Sequence, residues 1–141
     1  MAQIDQPYIK PLPNMTGLTK EFYDWCQKHE LRFQRCKDCG AWRHVPREMC
    51  DECNSFGWEW AKSSGRGKIF TWFVAERALF PEFKDDIPFA VAVIEMDEGV
   101  RLASNVINCG PDDLKEDQPV EVVYDDVTPE VTLPKFRLIS G

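Results

Sequence analysis

Apolar side chains recur at helical spacing from Leu18 through Phe22, Trp25 and Cys26, with His29 on the same stripe and Phe33 continuing it. Thr19 offers an N-cap hydroxyl without a Glu three residues on, and the spacing predicts a helix over about 19–30. Before it, Pro7, Pro11 and Pro13 remove backbone donors and hold the chain extended, which predicts an arm over 1–17 able to wrap a partner. After it the period changes to two. Leu31 to Arg35 alternates, and so does "FGWEWAK", so the segment between them is flanked by short strands. "SSGRG" then reads as a hinge, followed by five strand-like runs: "KIFTWFVAER", "FAVAVIEMD", "VRLASNVI", "VEVVYDDV" and "KFRLI". Asp97, Glu98 and Gly99 make a short hairpin turn between the second and third. Between the third and fourth, Pro111, Asp112 and Asp113 read as a helix start that Pro119 ends. Five strands with one short helix after the third predict a small OB-type barrel, although periodicity alone fits another five-stranded barrel or sandwich equally well.

The stretch between the two flanking strands, "RCKDCGAWRHVPREMCDEC", holds two Cys-x-x-Cys pairs separated by ten residues. Zinc takes four ligands in a tetrahedron, and a two-residue spacer lets one tight turn aim two thiolates at one ion. Cys36, Cys39, Cys50 and Cys53 are therefore the expected metal ligands. Gly40 and Asn54, directly after each pair, suit the left-handed backbone that follows such turns. Four protein ligands leave no open position, so a zinc site here organises the fold and does not catalyse. Iron in the same cage would make an electron carrier, and thiolate spacing does not choose between the metals. Cys26 on the helix stripe and Cys109 beside Gly110 read as packed thiols, and His44 as a surface side chain of the ribbon.

Composition narrows the function classes. A chain of 141 residues with 43% hydrophobic content can bury one good core, and a net charge of -7 disfavours nucleic acid as a partner. "MAQIDQPYIKPLPN" lacks a cationic start with an apolar core, and "FAVAVI" is too short to cross a bilayer, so a cytoplasmic protein without a membrane partner is expected. The charge is uneven. From Lys28 to Arg47 six basic residues face two acidic ones, whereas from Glu82 to Glu130 fourteen acidic residues face three basic ones. An anionic ligand would therefore favour the cysteine half. "SGRGKI" is no phosphate loop, because Ile69 stands where the magnesium-binding hydroxyl is required. No triad, zincin or paired-carboxylate pattern is present in the sequence.

Taken in order, "LRFQRCKDCGAWRHVPREMCDEC", "SGRGKIFTWFVAER", "PFAVAVIEMDEGVRLASNVI", "DLKEDQPVEVVYDD" and "LPKFRLI" resemble the rubredoxin-like zinc-ribbon plus OB-fold family, long filed as a domain of unknown function and associated with acyl-CoA metabolism. The resemblance implies a mainly β fold: an N-terminal helix and zinc ribbon over 18–62, then a five-stranded OB-fold barrel over 63–141. It further implies structural Zn2+ on the four cysteines and a non-catalytic accessory subunit in a hetero-oligomer with a thiolase-fold enzyme. Partners in that family include acetyl-CoA acetyltransferases, benzoylsuccinyl-CoA thiolases and the aldolases that shorten steroid side chains. Coenzyme A or acyl-CoA would be a ligand of the complex, and the cationic half supplies Arg32, Arg35, Lys37, Arg43 and Arg47 as candidate contacts, with Arg66 and Lys68 behind them. Asp51 and Asn54 stand where many members have proline and glycine, which loosens the second turn and keeps the ligands. The competing classes are a rubredoxin-like electron carrier and a single-strand nucleic-acid binder stacking bases on Phe70, Trp72 and Phe73, the latter opposed by the acidic barrel.

Overall fold

The computed structural model describes residues 8, 10–78 and 81–139; of the expected arm, 1–7 and 9 lie outside the described residues, 8 and 10–16 form neither helix nor strand, and Gly17 already opens the helix. One helix, α1 (Gly17–Gln27), precedes eight strands in two antiparallel sheets. β1 (Arg32–Cys36), β2 (Trp42–Arg43) and β3 (Trp58–Lys62) form the first, in the order β2-β1-β3. β4 (Arg66–Ala75), β5 (Phe89–Met96), β6 (Arg101–Ser104), β7 (Pro119–Asp126) and β8 (Thr132–Leu138) form the second, in the order β6-β5-β4-β7-β8. That sheet curls until its ends meet: Phe136 N–H donates to the Asn105 carbonyl (2.9 Å) and Ile107 N–H to that of Phe136 (2.9 Å). The closure selects the OB barrel over an open sandwich.

Helix α1 starts two residues before the sequence expectation and stops three earlier. Thr16, extended at φ -135, precedes the first turn, and its carbonyl accepts from Lys20 N–H (3.2 Å). At the far end His29 adopts φ +59, its N–H bonding the Cys26 carbonyl (2.8 Å) while Glu30 N–H bonds that of Trp25 (3.1 Å). This pair of bonds is a Schellman stop with histidine in the place glycine usually takes. His29 thereby leaves the apolar stripe; its ring stacks on Tyr124 at 4.8 Å and its Nε2 lies 3.1 Å from Asp126. The helix expected after the third barrel strand shrinks to one 3-10 turn, Pro111–Asp113, because Leu114 turns extended (ψ 141) and buries itself in the barrel. The hairpin at 97–99 forms, with Gly99 at φ +95 and Gly99 N–H donating to the Met96 carbonyl (2.8 Å).

The "SSGRG" segment is a pinned junction, not a hinge. Ser63 is buried, its N–H donates to the Leu31 carbonyl (2.8 Å), and its hydroxyl donates to Glu98 (2.7 Å), whose other oxygen accepts from Ser64 N–H (2.8 Å). A single core crosses this junction. Phe22, Cys26, Leu31 and Phe33 from the helix and first sheet pack with Ile69, Ile94, Val120 and Phe136 of the barrel. The helix stripe is therefore spent within the chain, and Trp25, half-buried, is covered by Lys28 and Arg32 at 4.8 and 4.3 Å from its ring.

Candidate metal centre

Two matching knuckles project from the first sheet. In the first, Cys36 N–H donates to the Ala41 carbonyl (2.8 Å) and Gly40 N–H to that of Cys36 (3.0 Å); in the second, Cys50 N–H donates to Ser55 (2.8 Å) and Asn54 N–H to Cys50 (2.9 Å). Gly40 and Asn54 take φ +79 and +65, the left-handed backbone the sequence anticipates at both positions. Cys36 and Cys50 are buried and Cys39 and Cys53 exposed, so the cluster sits half in the protein and half at its surface. All four sulfurs lie within 4.8 Å of one another, with Cys36 to Cys53 and Cys39 to Cys50 each at 3.6 Å. A tetrahedron with metal–sulfur bonds of about 2.3 Å has an edge of about 3.8 Å, so the donor set fits a thiophilic dication. Backbone N–H groups also point at the sulfurs, from Cys39 to Cys36 (3.5 Å) and from Glu52 to Cys50 (3.4 Å). The Cys39 N–H, helped by that of Asp38, draws the Cys36 thiol down to about 6. Cys53, despite a lowering contact from the Ser55 backbone, is pushed up to about 12 by Cys36 and by desolvation. Four sulfurs this close hold back protons until a cation replaces them.

Between the knuckles, residues 44–49 are fastened by a polar network that the sequence reading missed. Gln34, fully buried on β1, accepts at Oε1 from Arg43 Nε (2.9 Å) and Arg47 N–H (2.7 Å) and donates to the Arg47 carbonyl (2.8 Å), which also takes Arg43 Nη2 (2.7 Å). The signal was present: a glutamine beside the inward Phe33 on a strand otherwise read as alternating. Arg43 is 4% exposed and lies over the Trp58 ring at 5.9 Å, so it is a ribbon core residue and no surface contact for an anion. His44 corrects in the same direction. It packs on Phe22 and Phe33 at 5.0 and 5.2 Å, and burial pushes its pKa down to about 4. Among the other candidate cations, Arg32 is held by Glu30 (2.8 Å), and Lys68 stands between Asp117 (3.6 Å) and Glu95 (3.9 Å). Arg35, Lys37, Arg47 and Arg66 are exposed. Arg35 leans on Trp42, and Arg47 reaches Asp51 only at 3.8 Å. Cys26 is fully buried, its thiol pushed up to about 12 by desolvation, and the Cys109 thiol is also raised by burial, so neither is an activated nucleophile.

The matches follow this two-part architecture. Residues 26–59 match the model described as the ChsH2 rubredoxin-like zinc ribbon domain, and residues 60–125 match that of the ChsH2 C-terminal OB-fold domain. The chain belongs to the ChsH2 zinc-ribbon and OB-fold family. One member, a DUF35 domain-containing scaffold protein of Methanothermobacter thermautotrophicus, is 35% identical over 82% of this chain and 87% of its own length. Another, the probable enoyl-CoA hydratase alpha subunit of Thermomonospora curvata, is 32% identical over 92% of this chain, which spans only 40% of that protein. Among solved structures, a chain of the Ltp2-ChsH2(DUF35) aldolase superposes with a TM-score of 0.80 at 32% identity, covering 92% of this chain and 98% of that one. No described helix of this ChsH2-family chain is long and apolar enough to cross a membrane.

Proposed function

We propose that this chain is a non-catalytic, zinc-bearing scaffold subunit of a cytoplasmic enzyme complex that makes or breaks a carbon–carbon bond in an acyl-CoA thioester. Its partner is a thiolase-type subunit that carries the chemistry, with the two chains forming a hetero-oligomer. The observation that carries this reading is the likeness over nearly the whole chain to a subunit of the Ltp2-ChsH2(DUF35) aldolase, at 32% identity and covering 98% of that subunit. Zinc on Cys36, Cys39, Cys50 and Cys53 fixes the ribbon, which spans 18–62, and the barrel of 63–141 supplies docking surface. The exposed cations Arg35, Lys37 and Arg47, backed by Arg66, are the side that receives the phosphates of coenzyme A. The likeness to a hydratase alpha subunit favours a second reading, in which the partner adds water across an enoyl-CoA.

Tagged chain expressed in its own host is expected to retain a thiolase-type enzyme in fixed ratio, and the pair to cleave or condense a 3-oxoacyl-CoA faster than the enzyme alone. Retention of a hydratase would select the second reading, and retention of no acyl-CoA enzyme would overturn both. The purified protein should be colourless with one zinc per chain. Visible charge-transfer absorption would mean iron and move the chain to electron transfer.

A further inference from the structure

The four sulfurs of the cluster are not equivalent. Cys36 and Cys50 are buried, whereas Cys39 and Cys53 are exposed. Each exposed sulfur lies 3.6 Å from a buried one, and both contacts run from one knuckle to the other: Cys39 meets Cys50, and Cys53 meets Cys36. The buried pair also accepts backbone N–H bonds, Cys36 from Cys39 (3.5 Å) and Cys50 from Glu52 (3.4 Å), which hold those two sulfurs in place. A small oxidant therefore reaches one sulfur of each pair and has the other directly behind it, the arrangement in which an oxidised sulfur is resolved by a neighbour. Cys26 and Cys109 lack it. Cys26 is fully buried, and among the described residues neither thiol has a sulfur partner.

We infer that the cluster is a peroxide-responsive site, at which hydrogen peroxide joins Cys39 to Cys50 and Cys53 to Cys36 in two disulfides across the knuckles and so releases the zinc. The thiolate of Cys39 or Cys53 attacks one peroxide oxygen, the O–O bond breaks, and a sulfenic acid forms as hydroxide leaves. The buried thiolate behind it then attacks the oxidised sulfur. An S–S bond forms, the S–O bond breaks and a second hydroxide leaves. Each disulfide thus consumes one peroxide, passes two electrons from sulfur to oxygen, and takes two protons from solvent to give two waters. Sulfurs 3.6 Å apart have to close by about 1.5 Å to bond. The two new bonds tie together the same knuckles that a shared metal ties, so the ribbon outlasts the exchange. Residues 44–49 stay fastened by Gln34 and Arg43, and the core joining ribbon to barrel contains none of the four ligands.

This inference rests on zinc being held by the four cysteines, as proposed, and metal content measured before oxidation keeps the two apart. The zinc-loaded full chain is treated with hydrogen peroxide beside a colorimetric zinc indicator, then unfolded, alkylated and mapped by mass spectrometry. Cleavage after Lys37 and after Glu52 parts the members of each Cys-x-x-Cys, so the possible pairings give different peptides. About two equivalents of peroxide per chain should release the zinc, with Cys39 linked to Cys50, Cys36 linked to Cys53, and Cys26 and Cys109 alkylated. A Cys109→Ser chain should respond identically, and a dithiol with added zinc should restore the metal. The Gly40 and Asn54 amides should stay protected from hydrogen exchange in the oxidised chain, in contrast to a reduced chain stripped by a chelator. A chain purified without zinc would overturn the zinc reading and this inference together. A chain that holds zinc and keeps it through peroxide, links Cys36 to Cys39 or Cys50 to Cys53, or loses knuckle protection on oxidation would overturn the inference alone.

Discussion

Arg43 is a cation inside the ribbon, and no carboxylate is among its described partners: its guanidinium is held by Gln34 and the Arg47 carbonyl, and Nη1 has no partner. On the strand pairing, Gln34 faces Arg43 and Cys36 faces Trp58, the ring under that guanidinium, so cation and metal ligand share one face of the sheet. Four thiolates around a dication would carry two net negative charges, and Cys36, one of the four, lies on that face. Arg43→Ala therefore removes a buried, hydrogen-bonded charge and unfastens residues 44–49; the expected loss is about 2 kcal/mol, read by urea unfolding, together with weaker zinc retention against a chelator. Its burial was invisible in the sequence because β2 is two residues long, too short to show an alternation. His44 gives a pH signature of known sign. Its folded pKa of about 4 lies below the unfolded value of about 6.5, so the native state binds fewer protons, and stability falls as pH drops from 6.5 through 4. The loss approaches roughly 3 kcal/mol at the acid end. His44→Gln should show a shallower decline than wild type over that window, and comparing the two at each pH removes the thiolate contribution both share.

At the level of elements, the ribbon and barrel are held by different means. The ribbon's three short strands enclose few apolar side chains beyond Phe33, and its knuckle loops are ordered by bonds that close around the sulfurs. Chelating the metal should therefore release the amides of Gly40 and Asn54 to rapid hydrogen exchange while those of β5 and β7 stay protected; uniform loss of protection would show one cooperative unit. The barrel instead depends on close backbone approach. A Cβ on Gly67 would stand 2.5 Å from the Glu95 carbonyl oxygen and 3.0 Å from Met96 Cα, neither of which is a flexible side-chain tip. Gly67→Ala should cost at least about 2 kcal/mol in a chemical melt. The sequence carried much of this level: both knuckles with their left-handed followers, the five barrel strands and the hairpin at Gly99 are legible from spacing and turn chemistry. What it hid was set by tertiary contacts. The helix stops at His29 because the chain must turn into β1, and Leu114 abandons a helix in order to fill the barrel.

For the molecule as a whole, the decisive property is an uneven spread of charge: a basic run from Lys28 to Arg47 inside the ribbon and an acidic barrel, joined by one core. The sequence displayed the imbalance but not which cations are free, since that depends on burial and pairing: Arg43 is enclosed, Arg32 is held by Glu30, Lys68 and Arg47 are exposed but lie within 4 Å of carboxylates, and Arg35 and Lys37 reach the surface. Exposed charges of this kind act mainly through the field they project, speeding the approach of a charged ligand, and salt screens them over about 8 Å at physiological ionic strength. Their effect is therefore kinetic and salt-dependent. Reversing Arg35 and Arg47 to Glu in the assembled complex should slow acyl-CoA association roughly tenfold at low salt, with metal content and subunit ratio unchanged. The gap should close as salt is raised, whereas loss of a direct phosphate contact would also speed dissociation and persist. Stopped-flow binding of a fluorescent acyl-CoA across a salt series separates the two, and equal association rates for both proteins at low salt would show that the ribbon does not face the ligand's path.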